Sequence, residues 1–232
     1  MNYHLDFGAV LHGEYGALIL KGLELTLALT VEAWLLANVL GILLAVLRLG
    51  GGRYIEKFVA GYVAYHQNVP MLVQILLWYF GIANILPPFL QQWINAHNGE
   101  LLFSVIAIGL CMAAYVSEDL RSGLRSVPYG QQEASRSLGL SYMKTMRHVV
   151  LPQAIRVAMP TLINHSVLLF KNTSLAMAIG CAELSYATRE VENHTFKTFE
   201  SYLVATIVYL AVSLLIMAVG ALAAQKYRIQ GR

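Results

Sequence analysis

Five long apolar runs dominate the chain, covering residues 17–47, 58–86, 101–120, 157–182 and 202–224. A helix needs about 20 apolar residues to cross the hydrocarbon core of a bilayer. None of the runs alternates polar and apolar positions as a barrel strand would. A backbone in lipid must also satisfy its own hydrogen bonds, so each run reads as a helix. Composition agrees, because 57% of the 232 residues are hydrophobic and only 12% are charged. That is far more apolar than a soluble globular domain needs. The expected fold is an all-α integral membrane protein with five transmembrane helices, forming a single transmembrane domain over residues 1–232.

Lysine and arginine collect on the cytoplasmic side of membrane proteins, which orients the bundle. Arg48, Arg53 and Lys57 lie between the first two runs, and Arg121, Arg125, Arg136, Lys144, Arg147 and Arg156 between the third and fourth. Lys226, Arg228 and Arg232 follow the fifth, whereas residues 91–100 hold no cation. Residues 183–201 set Arg189 and Lys197 against several acids and read as a polar outer connection. The amino terminus is therefore expected outside, in the periplasm, and the carboxyl terminus in the cytoplasm. No basic residue precedes Lys21, so the amino terminus lacks the positive segment of a secretory signal and is expected to be retained. Cys111 and Cys181 both lie in apolar stretches, where packing is the expected role and neither a disulfide nor a metal site is suggested.

Residues 121–156 carry too many charges to enter lipid unaided. Pro128 and Gly130 mark an entry, and residues 131–138 are good helix formers. Gly139 suits the left-handed residue that ends a helix, with Leu140 making the accompanying apolar contact. Ser141 can cap a second helix running to about Val150, closed by Leu151 and Pro152. Met143, Met146 and Val150 recur at helical spacing and predict an apolar face on that second helix. By physical reading alone, this hairpin over residues 128–152 either lies on anionic lipid or docks on a protein.

The order Glu133, Ala134, Ser135, then Gly139, then Val149, Leu151 and Pro152 resembles the EAA loop of bacterial ABC importer permeases. Serine stands for the second alanine and valine for the usual isoleucine. The resemblance extends along the chain through Gly22-Leu23-Glu24-Leu25-Thr26-Leu27, Asn68-Val69-Pro70 with Gln74, Tyr115, Glu118, Arg121, Gly130-Gln131, Leu151-Pro152-Gln153-Ala154, Pro160 and Lys171-Asn172-Thr173-Ser174-Leu175. It is closest to permeases for polar amino acids, and Asn68-Val69-Pro70 is similar to glutamate/aspartate permeases in particular. The resemblance implies the type I importer fold, with residues 128–152 as the coupling helix that docks on a cytoplasmic ATPase. It implies a non-catalytic subunit in the bacterial inner membrane. Its partners would be two ATP-binding cassette subunits, a second permease subunit, identical or similar, and a periplasmic amino-acid-binding protein. Where relatives carry arginine before the Asn-Val-Pro step this chain has Gln67, and Ala64 where some carry glutamate. The expectation from that departure is a non-identical partner permease that keeps the cation.

Ionisable groups deep in a bilayer are costly and are functional candidates by default. Lys171 falls roughly 20 Å along the fourth run from its cytoplasmic end, at about 1.5 Å per residue. Its ammonium would meet a substrate carboxylate or an internal acid. Asn172, Thr173 and Ser174 offer hydrogen bonds, or simply close packing. Glu32 is read as a packed acid, and Glu118 as pairing with Arg121, in a gating or a structural role. Pro70 removes a backbone donor and frees the carbonyl of His66, so Asn68 and Gln74 sit at a weak point that suits a solute path or a packing kink.

No Gly-x-x-x-x-Gly-Lys-Ser/Thr loop is present to cradle nucleotide phosphates, no nucleophile and base pair stands out, and no metal set is evident. The chain is expected to hold no cofactor, with ATP and Mg in the partner ATPase, and nothing directs it to nucleic acid. Alternatives are a permease for glutamine or basic amino acids, and an ion-coupled secondary transporter using Glu32 and Lys171. A non-transporting membrane subunit is a third. The second is disfavoured by five spans without an inverted repeat.

Overall fold

A computed structural model describes residues 4–226, and Arg228, Arg232 and the side chain of Lys226 lie outside the described residues. After a single helical turn over Gly8–Leu11, its elements, named here in chain order, are α1 (Gly13–Gly50), α2 (Arg53–Asn68), α3 (Met71–Ile85), α4 (Pro88–Ala96), α5 (Gly99–Ser126), α6 (Tyr129–Ser137), α7 (Tyr142–Ile179), α8 (Leu184–Thr195) and α9 (Thr198–Lys226). No strand occurs among the described residues. Three helices, α1, α5 and α9, are each long and apolar enough to cross a membrane, and two bent pairs pass the same test only when each pair is taken together.

The core is organised around α5, in which 61% of the apolar window is buried, against 28% in α1 and 6% in α9. Asn98 starts α5 from the left-handed region, φ 57°, and its side chain accepts from the Leu101 N–H at 3.3 Å. Between helices in lipid there is little hydrophobic driving force, so small residues that permit close approach decide the contact. Ala33, Ala37, Gly41 and Ala45 recur every four residues on α1 and are all buried. A Cβ on Gly41 would come within 2.6 Å of the Val116 side chain of α5, so only glycine permits this crossing. Leu29, Ile75, Ile108, Met112, Leu169 and Ile179 close the main core between α1, α3, α5 and α7. The outer face of α9 is different, with Leu210, Leu214, Leu215 and Leu222 exposed.

The run at 58–86 is not one continuous helix. It breaks into α2 and α3 at 107°. Pro70 supplies no N–H, and the residue before a proline is forced out of the α region. Val69 accordingly stands at φ −96°, ψ 128°.

The fourth run also departs from expectation. Its helix begins at Tyr142, so the second hairpin helix does not stop at Leu151 and Pro152 but runs on into the span. A π turn over Met146–Val150 makes that continuity possible, with the Leu151 N–H reaching back five residues to the carbonyl of Met146. Widening the turn accommodates Pro152, which has no donor for a regular turn. The extra residue also rotates the preceding turn by about 100°. This corrects the predicted apolar face: Val150 and Thr145 are buried, Met146 is half-buried, and Met143 is exposed.

At its far end α7 tightens into a 3-10 turn over Thr173–Ile179 and stops at Gly180. Residues 183–201, expected as a polar connection, contain α8, bent 51° from α7. Residues 91–100, the cation-free connection between the second and third runs, hold most of α4, which opens on Pro88 at its first position.

Candidate functional site

The hairpin is built by local chemistry. Gly139 takes φ 81°, its N–H donates to the Arg136 carbonyl at 2.9 Å, and the Leu140 N–H donates to the Ser135 carbonyl at 3.2 Å. These two bonds satisfy the last carbonyls of α6 and turn the chain sharply. Ser141 then caps α7, its hydroxyl accepting from the Lys144 N–H at 3.4 Å. Beneath the turn, Val127, Val150 and Ala154 pack together and fix the hairpin to the ends of α5 and α7.

The seven motif residues divide by burial. Glu133, Ala134 and Gly139 lie on the open surface. Ser135 is buried and donates to the Gln131 carbonyl at 2.6 Å. Val149 and Pro152 are half-buried at the π turn, and Leu151 is 37% exposed beside them. Around the turn, Leu138 is 83% exposed, Met143 70% and Tyr142 63%. Exposed Arg136, Lys144 and Arg147 rim this apolar apex. An apolar centre with a charged rim is the anatomy of a protein-binding surface.

Glu118 links two helix ends. One carboxylate oxygen accepts from Arg121 on its own helix and the other from Arg48 at the end of α1. The Arg121 contact follows the expected three-residue spacing. Arg48 lies 70 positions away, so no local pattern could reveal it. All three side chains are 15–25% exposed.

At the broken span, Gln74 is buried at 0% exposure. Its Nε2 donates to the carbonyls of Val69 at 2.8 Å and His66 at 3.1 Å, and its Oε1 meets His66 Nδ1 at 2.6 Å. The thiol of Cys111 donates to the same His66 carbonyl at 3.3 Å. The carbonyl freed by Pro70 is thus satisfied from two sides, and Gln74 serves the kink rather than an open surface. Asn68 is exposed, its amide donating to the Ala64 carbonyl at 2.7 Å. Asn68 and Asn172 share a cleft of roughly 300 Å³ with Gln67 and Tyr115. Lys171, next to it in sequence, is exposed and forms no ion pair among the described residues. Thr173 and Ser174 instead donate to carbonyls three residues back, Phe170 and Lys171, at 2.6 and 2.7 Å. A larger cleft, roughly 640 Å³ between α7 and α9, contains none of the expected path residues.

Two further polar clusters join residues distant in the chain. Glu183, placed by its charge in an outer loop, is fully buried. It caps α8 through the Tyr186 N–H at 2.9 Å and accepts from Tyr209 at 2.7 Å and Thr26 at 3.4 Å, tying α1, α8 and α9 together. His165 Nδ1 meets Asp119 at 2.6 Å between α7 and α5. Glu32, expected to be packed, is exposed on α1 without an ion pair among the described residues.

Comparison with known proteins bears on what this arrangement serves. Residues 37–229 match the family described as the binding-protein-dependent transport system inner membrane component. The chain is 31% identical over 217 residues to the glutamate/aspartate import permease protein GltJ of Escherichia coli (strain K12), covering 92% of this chain and 88% of that one. It is 32% identical over 202 residues to the arginine ABC transporter permease protein ArtQ of Haemophilus influenzae, covering 87% and 90%. A chain from the crystal structure of an amino acid ABC transporter with histidines superposes with a TM-score of 0.82 at 28% identity, over 97% of this chain and 100% of that one. An all-helical bundle bearing an exposed hairpin, matched over most of its length by these permeases, belongs to the binding-protein-dependent transport system inner membrane components, the non-catalytic permease subunits of ABC transporters.

Proposed function

We propose that the chain moves a polar amino acid across the inner membrane by alternating access, driven by ATPase subunits that push on the hairpin of residues 128–152. The observation that carries this reading is the hairpin's build: an exposed apolar apex at Leu138, Tyr142 and Met143 on a base anchored to two spans. A device that transmits force needs both a docking surface and a stiff attachment. The continuous helix from Tyr142 through the π turn into the span supplies the attachment. In this reading the chain crosses the membrane five times, with its amino terminus in the periplasm and its carboxyl terminus in the cytoplasm. Glu133, Ala134, Ser135, Gly139, Val149, Leu151 and Pro152 form or support the coupling surface. Asn68, Lys171 and Asn172 line the path, while Gln74, Thr173 and Ser174 hold its backbone. Glu118 locks α1 to α5.

Glutamate or aspartate is the favoured substrate. Lys171, an ammonium without an acidic partner among the described residues, suits a carboxylate, and likeness to GltJ supports the same class. The similar match to ArtQ keeps basic amino acids as the second reading. A second permease completes the core, and Gln67 in place of the usual arginine favours a non-identical chain that carries the cation. The test is the assembled transporter in vesicles, with its binding protein and each amino acid in turn. Stimulated ATP hydrolysis and uptake with acidic amino acids are expected. Stimulation by arginine alone would reassign the substrate, and stimulation by no amino acid would end the reading.

A further inference from the structure

At the end of the bundle that the proposed orientation turns outward, a cleft of roughly 410 Å³ opens between α3, α4 and the start of α5. Its walls include Tyr79, Phe80, Asn84, Gln91, Glu100 and Phe103. Tyr79 sits between two other rings, with centroids 4.9 Å from Phe80 and 6.1 Å from Phe103. Tyr79 and Phe80 both lie on a π turn, Leu77–Ile82. Such widened turns occur frequently at functional sites.

Most of the side-chain hydrogen-bonding capacity left open in these walls is accepting, with the Asn95 amide supplying both donors and an acceptor. Gln91 Nε2 donates to the carbonyls of Leu86 at 2.8 Å and Asn84 at 3.2 Å, and Asn84 Nδ2 donates to the Phe80 carbonyl at 2.6 Å. Both amides therefore turn their N–H groups onto backbone, and their oxygens accept nothing from the described residues. Glu100 Oε1 accepts from the Tyr79 hydroxyl at 3.0 Å, and its other oxygen likewise has no donor among them. The cleft thus offers unused oxygens of Asn84, Gln91 and Glu100, the open amide of Asn95 and several aromatic faces. Its one acidic residue is Glu100, and no lysine, arginine or histidine lines it. Stabilising the first turn of α5 would explain Glu100 as an acid, but not the acceptors and rings gathered around it.

We propose that this cleft binds a primary ammonium group, the amino end of an amino acid arriving from outside before it reaches the broken span. An ammonium carries three donors and no acceptor, is attracted by ring faces, and pairs with a carboxylate. The site depends on the amino-acid import reading above for its biological ligand, but not for its chemistry.

Saturation-transfer NMR on the full chain in lipid nanodiscs, with methylammonium as probe, methanol as neutral control and empty discs as blank, tests it. Saturable methylammonium binding without methanol binding is expected, displaced by glycine but not by glycolate. Glu100→Gln weakens it on the order of tenfold or more, since hydrogen bonds to charged groups are the stronger class. Asn95→Asp adds a second carboxylate at an exposed position of the same cleft and tightens binding, a gain that misfolding cannot mimic. Equal binding of methanol, or wild-type affinity in either variant, overturns the assignment. The measurement needs neither ATPase nor transport. A chain that binds methylammonium yet imports no amino acid would refute the import reading alone, and one that imports without binding would refute only this site.

Discussion

Replacing Gln74 with methionine keeps side-chain length and volume while deleting the hydrogen bonds that its amide makes at the break between α2 and α3. In the native chain that amide satisfies the Val69 and His66 carbonyls and bonds the His66 ring, all from a fully buried position. A buried polar group left without a partner costs about 1–3 kcal/mol. Gln74→Met orphans the Val69 carbonyl and His66 Nδ1, while the His66 carbonyl keeps the Cys111 thiol. Val69 is only half-buried, so the lower part of the range applies and the expected loss is about 2–4 kcal/mol. Reversible denaturation of the purified chain in micelles would measure it. Adding Cys111→Ala removes the last side-chain donor to the His66 carbonyl, so the double variant should lose more than the sum of the singles, by about 1 kcal/mol. A Gln74→Met chain within about 0.5 kcal/mol of wild type, the scatter of ordinary surface changes, would refute the claim that this amide holds the kink.

Two further outcomes follow from the same geometry. Gly41→Ala should destabilise the chain by about 1–3 kcal/mol, as overpacked contacts do, because its Cβ would press within 2.6 Å of Val116; an unshifted denaturation midpoint would contradict the close α1–α5 crossing. Lys171→Gln should raise the KM for acidic amino acids roughly tenfold or more, the scale of a lost charge-assisted hydrogen bond, with little change for neutral ones; equal KM values in vesicle uptake would remove Lys171 from the path.

What was legible in the sequence is what local chemistry decides. The hairpin turn at Gly139 and the cap at Ser141 depend on residues within one turn of each other, and both form as expected. Pro70 located a weak point, since proline forbids particular bonds. It could not give the 107° bend, which is set by how α3 packs on α5 and α7. The continuation of α7 through Pro152 was missed because a proline after a cap reads as a stop, and only a π turn evades that rule. Met143 followed from the same error. Glu118 with Arg121 was visible at helical spacing, whereas Arg48 and the Glu183, Thr26 and Tyr209 set join residues distant in the chain. A charged residue between apolar runs reads as solvated, and nothing near Glu183 announces that α1 and α9 will close over it.

The most direct measurement of force transfer through the hairpin is the ratio of amino acid imported to ATP hydrolysed by the reconstituted transporter, wild type against Glu133→Arg. Glu133 is exposed, so its reversal leaves the bundle intact and alters only the surface offered to the ATPase. Uptake per ATP should collapse while the complex remains folded and hydrolysis persists. A variant that retains the wild-type ratio would contradict the proposal that this hairpin carries the stroke.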